Sequence, residues 1–369
     1  MGLFLDIKSQ HSAGVNSYSS VSSNIVHFTA LNRALSQRRI VKFVDGLSRD
    51  SLELHVKTLS SAEMEGRAVG SKGINLARDY ISNKFDEIGL KPVKKLGLKS
   101  YLQDYNTESY VSHLDDDKIS GFVLSDKHNS VITSNLLGMI KGKRYPNDFV
   151  IITAHYDHLG KTSDGKVFPG ADDNASSVSA LIEIARGLKK TGTKRSVIFA
   201  ALSGEEAHLT GVNTLMQSLK DNNLKNKVQI IDIEMLGAKG GNKLDILKYK
   251  PSLSQNMVEN MKNACEAIGS KFHVMRPDPN LLNQAEKFSR FNFPAVCLTW
   301  DFKAKSAHPH YHQYSDTFEN MNKDVFEKAA KSVAAITYYE THSRPPITSK
   351  PKNIITRIKN LFKSKNKVA

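Results

Sequence analysis

No stretch of the 369-residue chain approaches the roughly 18 to 20 consecutive apolar residues that a bilayer-spanning helix needs. That argues against a transmembrane helix. The opening MGLFLDIKSQ has its apolar run broken at Asp6, so it reads as lacking a complete secretory signal, and localisation stays open. Cysteine is scarce, with only Cys265 and Cys297 present. They fall in an apparent helix and an apolar strand, where cysteine behaves as a small buried hydrophobe. At most one disulfide can join them, and the sequence does not decide whether it forms. Internal repeats and nucleic-acid-binding motifs are also missing, although the net charge is +15. The last twenty residues contain no acid and carry seven of the basic residues, which leaves +8 for the remainder. With the excess gathered in a tail, a nucleic-acid function is not indicated.

A composition of 40% hydrophobic and 24% charged residues suits a globular protein with one large core or two modest ones. Residues 1–45 read as an extension, partly ordered at best, with a Ser-rich SYSSVSS and a basic NRALSQRRIVKF compatible with a helix. Residues 46–342 read as a single catalytic domain and 343–369 as a basic tail. In that tail Ile354, Ile355, Ile358, Leu361 and Phe362 share one helical face flanked by Arg357, Lys359 and Lys363. Weak contact with an anionic membrane and a solvated disordered tail are the two readings of this pattern.

Between these ends, apolar strand-like runs alternate with amphipathic helices: DFVIITAHYD, SVSALIEIARGLKK, RSVIFAALS, a short helix after Gly211, and VQIIDIEML. A further helix near 254–268, a strand PAVCLTW and a last helix near 324–340 follow. The alternation predicts an α/β fold, with a mixed, largely parallel twisted sheet covered by helices on both faces. Potential metal ligands gather where the strands end. They are His155, Asp157 and His158 after the first strand, Asp172 and Asp173 before a helix, and Glu205 and Glu206 after the next strand. Asp232 and Glu234 lie in VQIIDIEML, and His308, His310, His312 and Asp316 in HPHYHQYSDT. Taken singly, such residues are solvated histidines, helix caps or exposed acids. Crowded at the ends of central strands, however, these carboxylates would repel one another and lose solvation unless cations neutralised them, and a mixed imidazole and carboxylate set suits zinc.

The motifs AHYDHLG (154–160), GADDNAS (170–176), GEE (204–206), DIEMLG (232–237) and YHQYSDT (311–317) together resemble the co-catalytic di-zinc aminopeptidases of the bacterial leucyl aminopeptidase type. The resemblance runs from about Ser48 to about Glu340. It implies a phosphorylase/hydrolase-like zinc exopeptidase fold, two Zn²⁺ per chain and a peptide substrate with a free N-terminus. Carried over residue by residue, it implies that His155 and Glu234 hold one metal, Glu206 and His312 the other, and Asp173 both. Asp157 would orient His155, and Glu205 would be the general base. Tyr311 matches a tyrosine that in part of the family donates to the developing oxyanion; packing beneath its loop is the other reading. Members are commonly exported.

The chain departs from the family pattern in two places. Glu234 stands where the family usually has aspartate, and Asp232, two residues earlier, competes for the ligand role. Asn283, Gln284 and Ala285 replace a Ser-Asp-His element. The stretch from about 98 to 148 has room for strands but not for a large inserted domain. Two alternatives remain from the sequence. One is a glutaminyl cyclase-like transferase with a single zinc; the other is a metal-free binding protein that keeps the fold without activity.

Overall fold

The computed structural model describes residues 34–346 apart from 109, 116–117, 125–129, 278–282 and 305, with main chain only over 110–115 and 118–124. Helix α1 covers 34–45, followed by α2 (Arg49–Leu59) and α3 (Lys72–Ile88). Strands β1 (Lys91–Pro92), β2 (Leu102–Glu108), β3 (Tyr110–Asp115), β4 (Lys118–Leu124), β5 (Ser130–Ile140) and β6 (Tyr145–His155) come next. The rest alternates: α4 (Ser177–Thr191), β7 (Arg195–Leu202), α5 (Thr210–Asp221), β8 (Val228–Ile233), β9 (Leu244–Leu247), α6 (Pro251–Ala267), β10 (Phe272–Met275), α7 (Gln284–Arg290), β11 (Ala295–Trp300) and α8 (Lys323–His342).

The helices end where local chemistry directs. The Ser71 hydroxyl accepts from the Ile74 N–H at the start of α3, and Gly89, in the left-handed region, closes it. Asn322 caps α8 by accepting from the N–H groups of Asp324 and Val325. The buried face of α3 holds Ile74, Ala77, Ile81 and Phe85 at helical spacing.

Nine strands form one sheet in the order β1-β5-β7-β6-β8-β11-β9-β10, with β2 paired to β5, and β3 and β4 make a separate hairpin. The central β7, β6, β8 and β11 run parallel, while β5 and β9 join antiparallel. Every residue of β7, β8 and β11 is buried, as expected for strands covered on both faces. Alternation splits their side chains between two cores. Val197, Phe199 and Ala201 face α2, α3, α4, α6 and α8, whereas Ile198, Ala200 and Leu202 face α5 and α7. Full burial of each such side chain contributes about 1.5–3 kcal/mol, so the strand ends rest on a stiff platform.

Two features go beyond the sequence reading: how the helix compatible with NRALSQRRIVKF packs, and three short elements. Helix α1 sits in the stretch read as an extension, yet Ile40, Phe43 and Val44 join the larger core, and the Phe43 ring lies 4.8 Å from that of Tyr338. The short β9, β10 and α7 were not expected. Cys265 and Cys297 are both buried and unpaired, one in each core. The amphipathic tail face lies outside the described residues.

Candidate metal centre

The order of strands reverses around β6, with β7 on one side and β8 on the other. Their carboxyl ends therefore open a crevice of the kind in which α/β sheets take ligands. β6 ends at His155, β7 runs on to Glu205 and Glu206, and β8 to Glu234. The loop before α4 brings in Asp173, and the turns after β11 bring in Tyr311 and His312.

The Asp173 loop folds tightly. Gly170 has φ 61°, and a Cβ there would lie 2.4 Å from the Asp173 carbonyl oxygen and 2.5 Å from the His158 ring. Asp316 holds the loop from the far side, its two carboxylate oxygens accepting from the N–H groups of Asp172 (2.9 Å) and Asp173 (3.0 Å). Burial, then the charge of Asp172, pushes the Asp316 pKa up to about 8.

Asp173 stands between two sets of donors. Its Oδ1 is 3.3 Å from His155 Nε2, and its Oδ2 is 3.3 Å from His312 Nε2. His155 Nε2 is also 3.4 Å from Glu234 Oε2, and His312 Nε2 is 3.2 Å from Glu206 Oε1. The ligand atoms of His155, Asp173 and Glu234 lie within 4.8 Å of one another, as do those of His158, Asp173 and Glu206. The donors fit zinc, which binds imidazole nitrogen and carboxylate oxygen. Asp173 Oδ2, Glu234 Oε1 and both ring nitrogens of His158 are buried without a hydrogen-bond partner, a costly state that coordination would relieve.

The electrostatics point the same way. Burial disfavours the charged form of every group here, yet Glu234 and Asp173 raise the His155 pKa well above its ordinary value. Against the same burial, Asp173 and Glu206 lift His312 to about 10. Burial would raise the Glu206 pKa, but the His158 and His312 imidazoles pull it to about 2. Glu205 differs: burial and the charge of Glu234 raise its pKa well above the carboxylate range, and its Oε2 has no hydrogen-bond partner.

The remaining expected residues separate by position. The strand β8 ends at Ile233, so its alternation does not extend to Glu234. Glu234 faces His155 and accepts from Asn174 Nδ2 (3.0 Å). Both oxygens of Asp232 are occupied instead, by the Thr153 hydroxyl (2.7 Å) and the Ala285 N–H (3.1 Å). The unexpected Asn283-Gln284-Ala285 stretch thus caps α7 and satisfies Asp232.

Asp157 meets both His155 and the turn of the two glutamates. Its carboxylate accepts from the N–H groups of Glu205 (3.1 Å) and Glu206 (3.2 Å) and stands 3.8 Å from His155 Nδ1. The main-chain carbonyl of Asp157 is the group near that nitrogen, at 3.1 Å. The carboxylate therefore holds the turn carrying the two glutamates, and Asp157 faces the imidazole through its main-chain carbonyl and, at longer range, its carboxylate. Tyr311 does not pack beneath its loop: it is 49% exposed, stacks on His312 with centroids 3.8 Å apart, and lines the cavity.

Sequence reasoning missed Arg67. It is buried, and its guanidinium donates to the carbonyls of Tyr156 (2.8 Å), Pro169 (2.7 Å), Gly170 (2.9 Å) and Leu59. It thereby ties the end of β6 to the Asp173 loop. Asn174 was missed too; its Nδ2 donates to the Ile233 carbonyl as well as to Glu234, and its Oδ1 accepts from the Met235 N–H. No local pattern marks either role. Beside the ligands opens a cavity of about 620 Å³ whose lining includes Glu205, Met235, Asn283, Cys297, Phe302 and Tyr311.

Residues 135–337 match peptidase family M28. The aminopeptidase YwaD of Bacillus subtilis is 26% identical over 230 residues, covering 62% of this chain and 48% of that protein. The chain spans about half the length of the curated relatives that it matches first. Among solved structures, BSAP, described as a zinc aminopeptidase from Bacillus subtilis, superposes with a TM-score of 0.64 at 15% identity, covering 81% of this chain and 96% of that one. An aminopeptidase from Aneurinibacillus sp. strain AM-1 gives 0.65 at 14% identity, covering 84% and 98%. At such identities these two likenesses show the fold.

Proposed function

Because the chain belongs to peptidase family M28, we propose that it is a zinc-dependent aminopeptidase that hydrolyses N-terminal residues from peptides. The observation that carries the reading is the placement of Asp173, one oxygen facing each donor set, with Glu205 lining the same cavity, its Oε2 buried, and a member of neither. His155 and Glu234 would hold one zinc, Glu206 and His312 the other, and Asp173 both. Zinc bound there would supply Lewis acidity, polarising the scissile carbonyl and acidifying water.

The chain's own residues supply the rest. Glu205 Oε2 takes the proton from the attacking water and passes it to the leaving amine, which requires a carboxylate that is not itself a ligand. Asp157 positions Glu205 and Glu206 together through their adjacent N–H groups. The Tyr311 hydroxyl, on the cavity wall, donates to the developing oxyanion. The α-ammonium of a free N-terminus meets the carboxylates lining the same cavity, and an acetylated terminus has no charge to offer them.

Purified protein is expected to hold about two zinc ions per chain, to cleave aminoacyl substrates and spare their N-acetylated forms, and to lose activity on chelation. Full activity in a metal-free sample, or release of residues from the carboxyl end, would overturn the proposal.

A further inference from the structure

The donor set around Glu206 contains one imidazole more than the family resemblance assigns. His158 lies three residues beyond the last residue of β6 and is 1% exposed. Its main-chain N–H donates to the Arg67 carbonyl (3.2 Å), and the backbone at Gly170 packs directly on its ring. Neither ring nitrogen has a hydrogen-bond partner, a costly state for buried polar atoms.

The geometry shows what this ring faces. Its Nδ1 stands 3.6 Å from Asp173 Oδ2 and 3.7 Å from Glu206 Oε1. The same two oxygens lie 3.3 and 3.2 Å from His312 Nε2. Two ligands about 2.0–2.1 Å from one ion, at angles of roughly 100–120°, are about 3.1–3.6 Å apart. Three of the four separations fall within that spacing and one just beyond it, and most exceed the usual N–H···O range of about 2.7–3.2 Å.

We propose that His158 is a further protein ligand, joining Asp173, Glu206 and His312 on the same zinc through its Nδ1. This rests on the two-metal reading above and adds an asymmetry to it. One position has three protein donors, His155, Asp173 and Glu234, beside Glu205. The other has four, the number found in closed zinc sites.

The test uses the full chain, stripped and titrated with zinc against a chromophoric chelator, as wild type and as His158→Phe. Phenylalanine keeps a ring and removes both buried nitrogens. Wild type is expected to bind two zinc ions, and His158→Phe to bind one normally and the other more than about 100-fold more weakly, beyond the range of changes behind the ligands. A measurement needing no variant accompanies it: the cobalt-loaded wild type should show three hyperfine-shifted, exchangeable imidazole N–H signals in its proton spectrum. Two such signals, or two unweakened zinc ions in His158→Phe, overturn the role of His158 while leaving the two-metal reading intact. Fewer than two metals in wild type overturn both.

Discussion

Replacing Arg67 with methionine should loosen the metal centre from below. Methionine matches the stem but offers no donor, so the carbonyls of Leu59, Tyr156 and Pro169 lose their partner together, while Gly170 keeps the Ala175 N–H (3.2 Å). At about 2 kcal/mol for each buried acceptor left unsatisfied, the loss is roughly 6 kcal/mol. Against this, burial pulls the Arg67 pKa down to about 10, so holding the charge there costs roughly 3 kcal/mol that methionine does not carry. The expected net destabilisation is about 3 kcal/mol. Urea unfolding of the zinc-free protein, followed by circular dichroism, measures it. Zinc affinity should fall as well, because Pro169 and Gly170 lead into the loop carrying Asp173. A loss below about 1 kcal/mol with unchanged zinc affinity would show that these carbonyls find water, and that Arg67 is no brace.

Glu205→Gln should keep both zinc ions while kcat falls by roughly 10² to 10⁴; loss of metal along with activity would make Glu205 a ligand. Glu234→Ala should lose about one metal equivalent, whereas Asp232→Ala should weaken affinity by about 10- to 100-fold at most, and the opposite pattern of metal content would reverse the two roles. Glu340, buried near Arg195, has its pKa pushed up by desolvation to about 7. A carboxyl raised in the folded state contributes stability below its unfolded pKa and loses it as pH rises through the folded value. Glu340→Gln should therefore match wild type near pH 4 and exceed it by up to roughly 3 kcal/mol at pH 8; equal denaturation midpoints at pH 8 would refute this.

The long central elements were readable because each carries a strong local signal. Strands β6, β7, β8 and β11 each carry a marked apolar run, and α3, α4 and α8 repeat their apolar residues at helical spacing. The short β9, β10 and α7, of four, four and seven residues, are too brief for either period to emerge. The basic segment was compatible with helix α1, but its docking in the core was hidden by its composition, since Ile40, Phe43 and Val44 are its apolar face amid charged neighbours. At the site, residue types and strand ends indicated which side chains converge, and the contest between Asp232 and Glu234 needed coordinates. Both sit near one strand end, and only the hydrogen bonds from Thr153 and Ala285 show that Asp232 is already occupied. Arg67 was illegible because its meaning lies in carbonyls up to 103 residues away.

Three successive residues, Glu65, Gly66 and Arg67, adopt positive φ, and a Cβ on Gly66 would lie 2.2 Å from the Gly160 carbonyl oxygen. This bend presents the Gly66 and Arg67 carbonyls to the N–H groups of Gly160 and His158. It belongs to a segment well before residue 135, where the family match begins. An excised piece spanning 135–337 would therefore lack the underside of its own ligand loops. Asp316, which holds the Asp173 N–H across 143 residues, closes the same loop from the other end of the chain. Contacts of such sequence separation form slowly, because the loop entropy must be overcome before they contribute. During synthesis the segments on both sides of the Asp173 loop must dock before its ligand atoms converge, so zinc capture is expected to follow folding instead of nucleating it.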